Sequence, residues 1–279
     1  MKLKEILEKF GTVDGSFLIE NLLGLSKTDI FFNHNMDVPK EVEIKINEIY
    51  EKYLKDYPIN YLIGKKNFYG RDFYLEEGVL IPRFETEILI EKILKLGIEF
   101  KRILDIGCGS GIISLTLALE IPSSTVLGVD ISSKALYVSN KNKDDLKVKN
   151  CRFKYSNLFE SIEAESFDLI VSNPPYINAK DMEELDNKVK KEPELALFGG
   201  EDGLYFYREI IKKSHNYLNE NGYIAFEIGY NQGQSVKDML SFNGYKDITL
   251  IKDYNGFDRC VIARSMIWYF YSYLLHFLK

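Results

Sequence analysis

Cysteine and histidine are scarce in this chain, and neither is grouped. Cys108, Cys151 and Cys260 stand far apart with no C-x-x-C pair, which excludes a disulfide framework and reads as reduced thiols of the cytoplasm. His34, His215 and His276 are equally scattered, so no His/Cys metal site is expected. A surplus of positive charge is missing as well. Against 42 Asp plus Glu stand 36 Lys plus Arg, and the net charge of −6 argues against a standing footprint for nucleic acid. The opening Met1-Lys2-Leu3-Lys4-Glu5-Ile6 has the look of an amphipathic helix and lacks the apolar core of a signal peptide. The apolar closing segment Met266–Leu275 is shorter than the ~20 residues that a spanning helix requires, so no membrane partner is expected. What remains is an ordinary globular composition, 46% hydrophobic and 28% charged, on a chain of 279 residues. That length suits one large domain or a domain with a small companion.

The pattern changes character along the chain. Residues 1–64 read as all helix: Leu3, Ile6, Leu7 and Phe10 share one face, as do Phe17, Leu18, Asn21 and Leu22. A longer helix is expected from Pro39 to Tyr57, before Pro58. This segment holds 8 Lys against 11 Asp plus Glu, so it is not a basic arm. Residues 65–84 switch to alternating aromatic and polar positions with Gly70 and Gly78 as turn residues, the mark of a β-hairpin linker. Over 85–264 strands and helices alternate. Strands are expected at Arg102–Gly107, Thr125–Asp130, Cys151–Tyr155, Phe167–Ser172, Tyr223–Gly229, Ile248–Asp253 and Asp258–Ala263, and helices at Ile112–Glu120 and Ser132–Asn142. Such alternation predicts an α/β fold with a mostly parallel sheet and helices on both faces. Residues 265–279 form an apolar tail, expected to pack on the protein's own surface.

Two motifs carry chemistry. The first is Asn173-Pro174-Pro175-Tyr176, at the end of the apolar run Phe167–Ser172. The prolines stop the strand and leave a side-chain amide at its carboxyl end, where open α/β sheets bind ligands. An amide accepts through oxygen and donates through nitrogen, so Asn173 can hold another amide or an exocyclic amine. The alternative is a plain strand-end turn with a capping Asn. The second motif is Asp105-Ile106-Gly107-Cys108-Gly109-Ser110-Gly111, between a strand and a helix, where glycines let the backbone approach a ligand. A dinucleotide site competes, but its spacing is G-x-G-x-x-G, whereas here it is G-x-G-x-G. A carboxylate near the loop, Asp105, suits the ammonium of a methionine moiety. Asp130 ends the next strand about 20 residues after the loop, placed for two ribose hydroxyls; its alternative is capping the helix at Ile131-Ser132. Leu158 is placed to cover an adenine, with plain core packing as its alternative. Together these point to methyl transfer onto a planar nitrogen. Asn173 Oδ1 and the Pro174 carbonyl would each accept an N–H, Pro175 would stiffen the turn, and the Tyr176 ring would pack on the flat target.

With its flanks, the chain resembles the release-factor glutamine N5-methyltransferase family of class I methyltransferases. The resemblance is carried by Tyr57-Pro58-Ile59-Asn60-Tyr61-Leu62-Ile63-Gly64, Ile81-Pro82-Arg83-Phe84-Glu85-Thr86-Glu87, the glycine loop and the Asn-Pro-Pro-Tyr turn. It continues through Glu192-Pro193-Glu194-Leu195-Ala196-Leu197, Gly200-Glu201-Asp202-Gly203-Leu204, Glu227-Ile228-Gly229 and Gly256-Phe257-Asp258-Arg259. It implies a Rossmann-like sheet with a helical N-terminal domain and S-adenosylmethionine as co-substrate. The acceptor it implies is the glutamine of the GGQ motif in peptide chain release factors, modified at N5. By the same resemblance Gly107–Gly111, Asp130, Leu158 and Asn173 contact the cofactor, Asn173–Tyr176 hold the glutamine, and the N-terminal helices dock the release factor. Phe84 departs from the family's second proline, and Leu158 stands where an aromatic is common; the tail past Arg264 has no family counterpart.

Two rivals differ in class. A DNA or RNA adenine N6-methyltransferase also uses such a turn, but it needs a flipped base and a cationic groove, and this chain is acidic. An interaction or membrane-surface protein on a degenerate nucleotide fold is the other; intact Asp105, Asp130 and Asn173 argue against degeneracy.

Overall fold

A computed structural model describes residues 1–163 and 165–266; the apolar tail from 267 onward lies outside the described residues. The chain divides into two units. One comprises Met1–Lys65 with Leu75–Glu77 and Asp186–Lys191, and the other Lys66–Tyr74, Gly78–Leu185 and the chain from Glu192.

The first unit contains helices α1 (Leu3–Leu23), α2 (Lys27–Phe32), α3 (Lys40–Tyr53) and α4 (Ile59–Ile63). Leu3, Ile6, Phe10, Leu18, Ile19, Ile46 and Ile49 bury the apolar stripes that the periodicity predicts. Gly11 breaks α1 with φ 77 and ψ 163, so the two predicted faces belong to two helical halves. Ser26 and Asp29 cap α2 reciprocally, each side chain accepting the other's backbone N–H. The third helix stops at Tyr53, earlier than the expected Tyr57. Asp56 turns left-handed (φ 62), and the residue before Pro58 is kept out of the α region.

A hairpin follows the helices, β1 (Lys65–Phe68) and β2 (Arg71–Tyr74), closed by Tyr69 and Gly70, both at positive φ as a type I′ turn requires. The hairpin is shorter than the predicted 65–84, because Pro82 cannot donate to a ladder and Gly78 (φ 93) turns the chain away. Next come α5 (Glu85–Lys95), β3 (Arg102–Ile106), α6 (Ile112–Glu120), β4 (Thr125–Asp130), α7 (Ser133–Asp145), β5 (Cys151–Tyr155) and β6 (Phe167–Ser172). After these follow α8 (Ala179–Glu183), α9 (Tyr205–Ser214), β7 (Leu218–Glu227), α10 (Gly233–Phe242), β8 (Tyr245–Lys252) and β9 (Asp258–Ser265). The sheet order is β5-β4-β3-β6-β7-β9-β8, parallel except for β9, which runs antiparallel to both neighbours. Strand order therefore reverses between β3 and β6, and the crevice at that switch point is where such sheets bind ligands.

Alternate residues of one strand feed different cores. Ile103, Val126, Leu169 and Val171 enter one apolar cluster, and Leu104, Leu127, Val129 and Ile170 the other. Burial on both faces is why these strands are apolar at successive positions and not only at alternate ones. β7 starts at Leu218, earlier than the predicted Tyr223, since the ladder with β6 tolerates Asn221 at φ 60 and a bulge beside Leu169.

Candidate active site

At the carboxyl ends of β3, β4 and β6 lies a largely apolar cavity of about 300 Å³. Gly107, Cys108, Gly109, Ser110, Asp130, Leu158, Asn173, Pro174 and Pro175 line it, and so do Leu80, Pro82, Thr86 and Leu195. Most of the residues that the sequence singled out thus meet in one place.

Gly107, Gly109 and Gly111 all adopt positive φ (73, 54 and 82), so the loop needs glycine for its backbone alone. At Gly111 a Cβ would also meet Phe153 at 2.9 Å, which makes it a packing glycine that does not reach the cavity. Cys108 lines the cavity, and its N–H donates to the Val129 carbonyl at 3.0 Å. The loop is clamped by Asn142, which sequence reasoning missed. Its amide donates to the Ser110 carbonyl (2.9 Å) and exchanges hydrogen bonds with the backbone of Tyr74.

Asp130 accepts the N–H of Gly109 through Oδ2 and that of Ser132 through Oδ1, both at 2.8 Å. Helix α7 is capped by Ser132 and not by Asp130, which braces the turn before it; each Asp130 oxygen keeps a further lone pair for a ligand hydroxyl. Leu158 sits at φ 52, rare for a branched residue; it lines the cavity and also packs on the second core.

Asp105 corrects the expectation of an ammonium ligand. It is fully buried, does not line the cavity, and accepts the N–H and hydroxyl of Ser114 at 3.1 and 2.5 Å, while Oδ1 has no partner. Burial pushes its carboxyl up to about 7, against the pull of the Ser114 bonds. A raised folded-state pKa means that the native protein holds a proton that the unfolded chain releases between pH ~4 and ~7. Stability should fall as pH rises across that window and level off above it. Asp105→Asn should flatten part of the slope; melting temperatures measured from pH 4 to 8 that keep the full wild-type slope would contradict this.

Asn173 and the prolines are set by neighbours far along the chain. The Ser172 hydroxyl donates to the Ile106 carbonyl (2.6 Å), tying β6 to β3 at the switch point. Tyr176 does not line the cavity as expected: its ring packs on the second core, and burial raises its hydroxyl pKa. Its carbonyl accepts from Gln232 Nε2 at 3.0 Å, and that same nitrogen donates to the Gly203 carbonyl (3.0 Å). Cβ atoms at Gly199 and Gly203 would strike the backbone of Tyr176, which explains glycine at both positions. Glu192, nearly buried, accepts the Ile81 N–H at 2.9 Å and pairs with Arg83 at 2.5 Å. That pairing joins two motifs of the resemblance and holds the 81–84 segment in place. Phe84 takes φ −62, a value that proline shares, so its side chain leaves the backbone course unchanged.

The crevice at a switch point, the glycine loop, the acidic strand end and the amide turn define the site of a class I methyltransferase. Residues 84–192 match the methyltransferase small domain and residues 3–64 the PrmC N-terminal domain. A release factor glutamine methyltransferase of Fusobacterium nucleatum is 41% identical over 94% of this chain and 77% of its own length. Its counterpart from Aquifex aeolicus is 37% identical over 95% and 96%. A methyltransferase structure from Pyrococcus furiosus, 17% identical, shares the fold with a TM-score of 0.55 over 82% of this chain and all of its own. The chain belongs to the release factor glutamine methyltransferase family.

Proposed function

We propose that this enzyme transfers a methyl group from S-adenosylmethionine to the side-chain amide nitrogen of the GGQ glutamine in peptide chain release factors. The observation that carries this reading is the Asn173-Pro174-Pro175 turn in the wall of the cavity that the glycine loop also lines. The residues fit the cofactor: positive-φ glycines bring backbone close, Asp130 has lone pairs to offer, and the remaining wall is mostly apolar. Gly107–Ser110, Asp130 and Leu158 would hold it. When bound, S-adenosylmethionine supplies an electrophilic methyl group, so no covalent enzyme intermediate is required.

The protein's own work is orientation. An amide nitrogen is a weak nucleophile because its lone pair is delocalised into the carbonyl. Asn173 Oδ1 and the Pro174 carbonyl accept its two N–H groups and aim the lone pair, while the nearby apolar surface excludes water. No strong base is needed, since the proton leaves readily once the nitrogen has gained a substituent. Tyr176 supports the turn from the core side. Exposed Phe31 and Phe32, in edge-to-face contact on α2, suit the helical unit to docking the protein substrate. The three cysteines are buried and free, as suits a reducing compartment such as the cytoplasm.

Asp130→Ala tests the cofactor half. Removing a charge-assisted acceptor should weaken S-adenosylmethionine binding by roughly 1.5–3 kcal/mol, an order of magnitude or more in Kd. Calorimetry on the folded variant showing unchanged affinity would leave Asp130 only its turn-bracing role.

A further inference from the structure

Outside the Asn-Pro-Pro-Tyr turn, a chain of hydrogen bonds runs from the core to the Asn173 amide. Thr86, fully buried in the first turn of α5, faces the cavity. Its Oγ1 accepts from Asn173 Nδ2 at 3.4 Å and donates to Glu227 Oε2 at 2.6 Å. The spans are long in sequence, 87 and 141 residues, but short in the sheet. Ser172 pairs with Phe226 across β6 and β7, so Asn173 and Glu227 are the next residues of neighbouring strands.

We infer that Thr86 and Glu227 are positioning residues that decide which end of the Asn173 amide faces the substrate. The inference rests on the proposed role of Asn173. An ionised carboxylate only accepts, so Glu227 takes the single Thr86 hydroxyl proton. The Thr86 oxygen then offers only lone pairs to Asn173, which must turn its NH2 towards Thr86 and its Oδ1 towards the cavity. That is the orientation that accepts an N–H from a substrate amide. With Glu227 protonated the relay can reverse: the carboxyl donates to Thr86, Thr86 donates to Oδ1, and the NH2 swings to the cavity, where it repels the substrate's own donors.

The surroundings hold Glu227 near this balance. Arg259 and Cys260 face it from β9, Glu85 from α5 with Arg83 just before it, Tyr207 from α9 and Tyr176 from the turn. The guanidinium groups and the Thr86 bond favour the charged form, while burial and Glu85 oppose it and push the carboxyl up to about 7.

The test measures kcat, KM for a release factor and cofactor Kd for Thr86→Val, Thr86→Ser, Glu227→Gln and Asn173→Ala. Thr86→Val should lower kcat by about tenfold or more with cofactor Kd unchanged, and Thr86→Ser should recover most of it. Wild-type kcat should fall as pH drops through about 7, and Glu227→Gln should be slow with that limb gone. The inference is overturned if Thr86→Val turns over normally, if Thr86→Ser stays as slow as Thr86→Val, or if the valine variant's loss follows a weaker Kd. With Asn173→Ala inactive, those outcomes sink the relay alone. An active Asn173→Ala sinks the proposed role of Asn173 itself.

Discussion

Asn173→Ala should lose at least a hundredfold in turnover, on the order of 3 kcal/mol in the barrier, while cofactor binding and melting temperature stay near wild type. Asn173 is only partly buried, at a strand end, so its truncation leaves no core cavity and the cost falls on the chemistry. Asn173→Asp should fail as well. A carboxylate there can no longer donate to Thr86, and it would stand against the Thr86–Glu227 pair as a second acceptor. Retained turnover in the alanine variant, measured under saturating cofactor, would remove Asn173 from its role.

Gly203→Ala should be the most damaging change outside the cavity wall. Gly203 sits at φ 73, which any side chain resists, and its added Cβ would run into the Tyr176 carbonyl and meet Gln232 Nε2 at 2.8 Å. Those are the two partners that hold the end of the amide turn. Strain and overpacking together should cost about 2–4 kcal/mol of stability and displace the turn, so turnover falls even at temperatures where the variant is folded. Chemical denaturation combined with single-turnover rates checks both effects. A variant of normal stability and normal rate would show that the Gly200–Gly203 segment does not hold the turn.

The sheet was legible where the sequence supplies sharp ends. The strands Thr125–Asp130, Cys151–Tyr155 and Phe167–Ser172 match their predicted bounds: Phe167–Ser172 is stopped by Asn173 and Pro174, Thr125–Asp130 closes on its own Asp130, and Cys151–Tyr155 alternates apolar with basic residues up to Ser156. Edges were less clear at β7 and β8, where polar residues continue a ladder that only the partner strand makes favourable. In the site, glycines and the amide turn announced themselves through local conformational need. The roles of Thr86, Asn142, Glu192 and Gln232 did not, although Thr86 and Glu192 stand in motifs of the resemblance, since each acts through a hydrogen bond to a segment far away in the chain. A lone Thr or Gln at a helix start carries no local sign of such a partner. Asp105 misled for the opposite reason: its spacing from the loop suggested a ligand, yet the side chain turns inward to Ser114.

The central claim is tested most directly by incubating the intact enzyme and S-adenosylmethionine with a full-length release factor, followed by tandem mass spectrometry of the product. The product should carry one added methyl group, on the side-chain amide of the GGQ glutamine, absent with Asn173→Ala. An unmodified glutamine beside a methyl group elsewhere on the factor, or methylation of adenine in nucleic acid offered in its place, would contradict it.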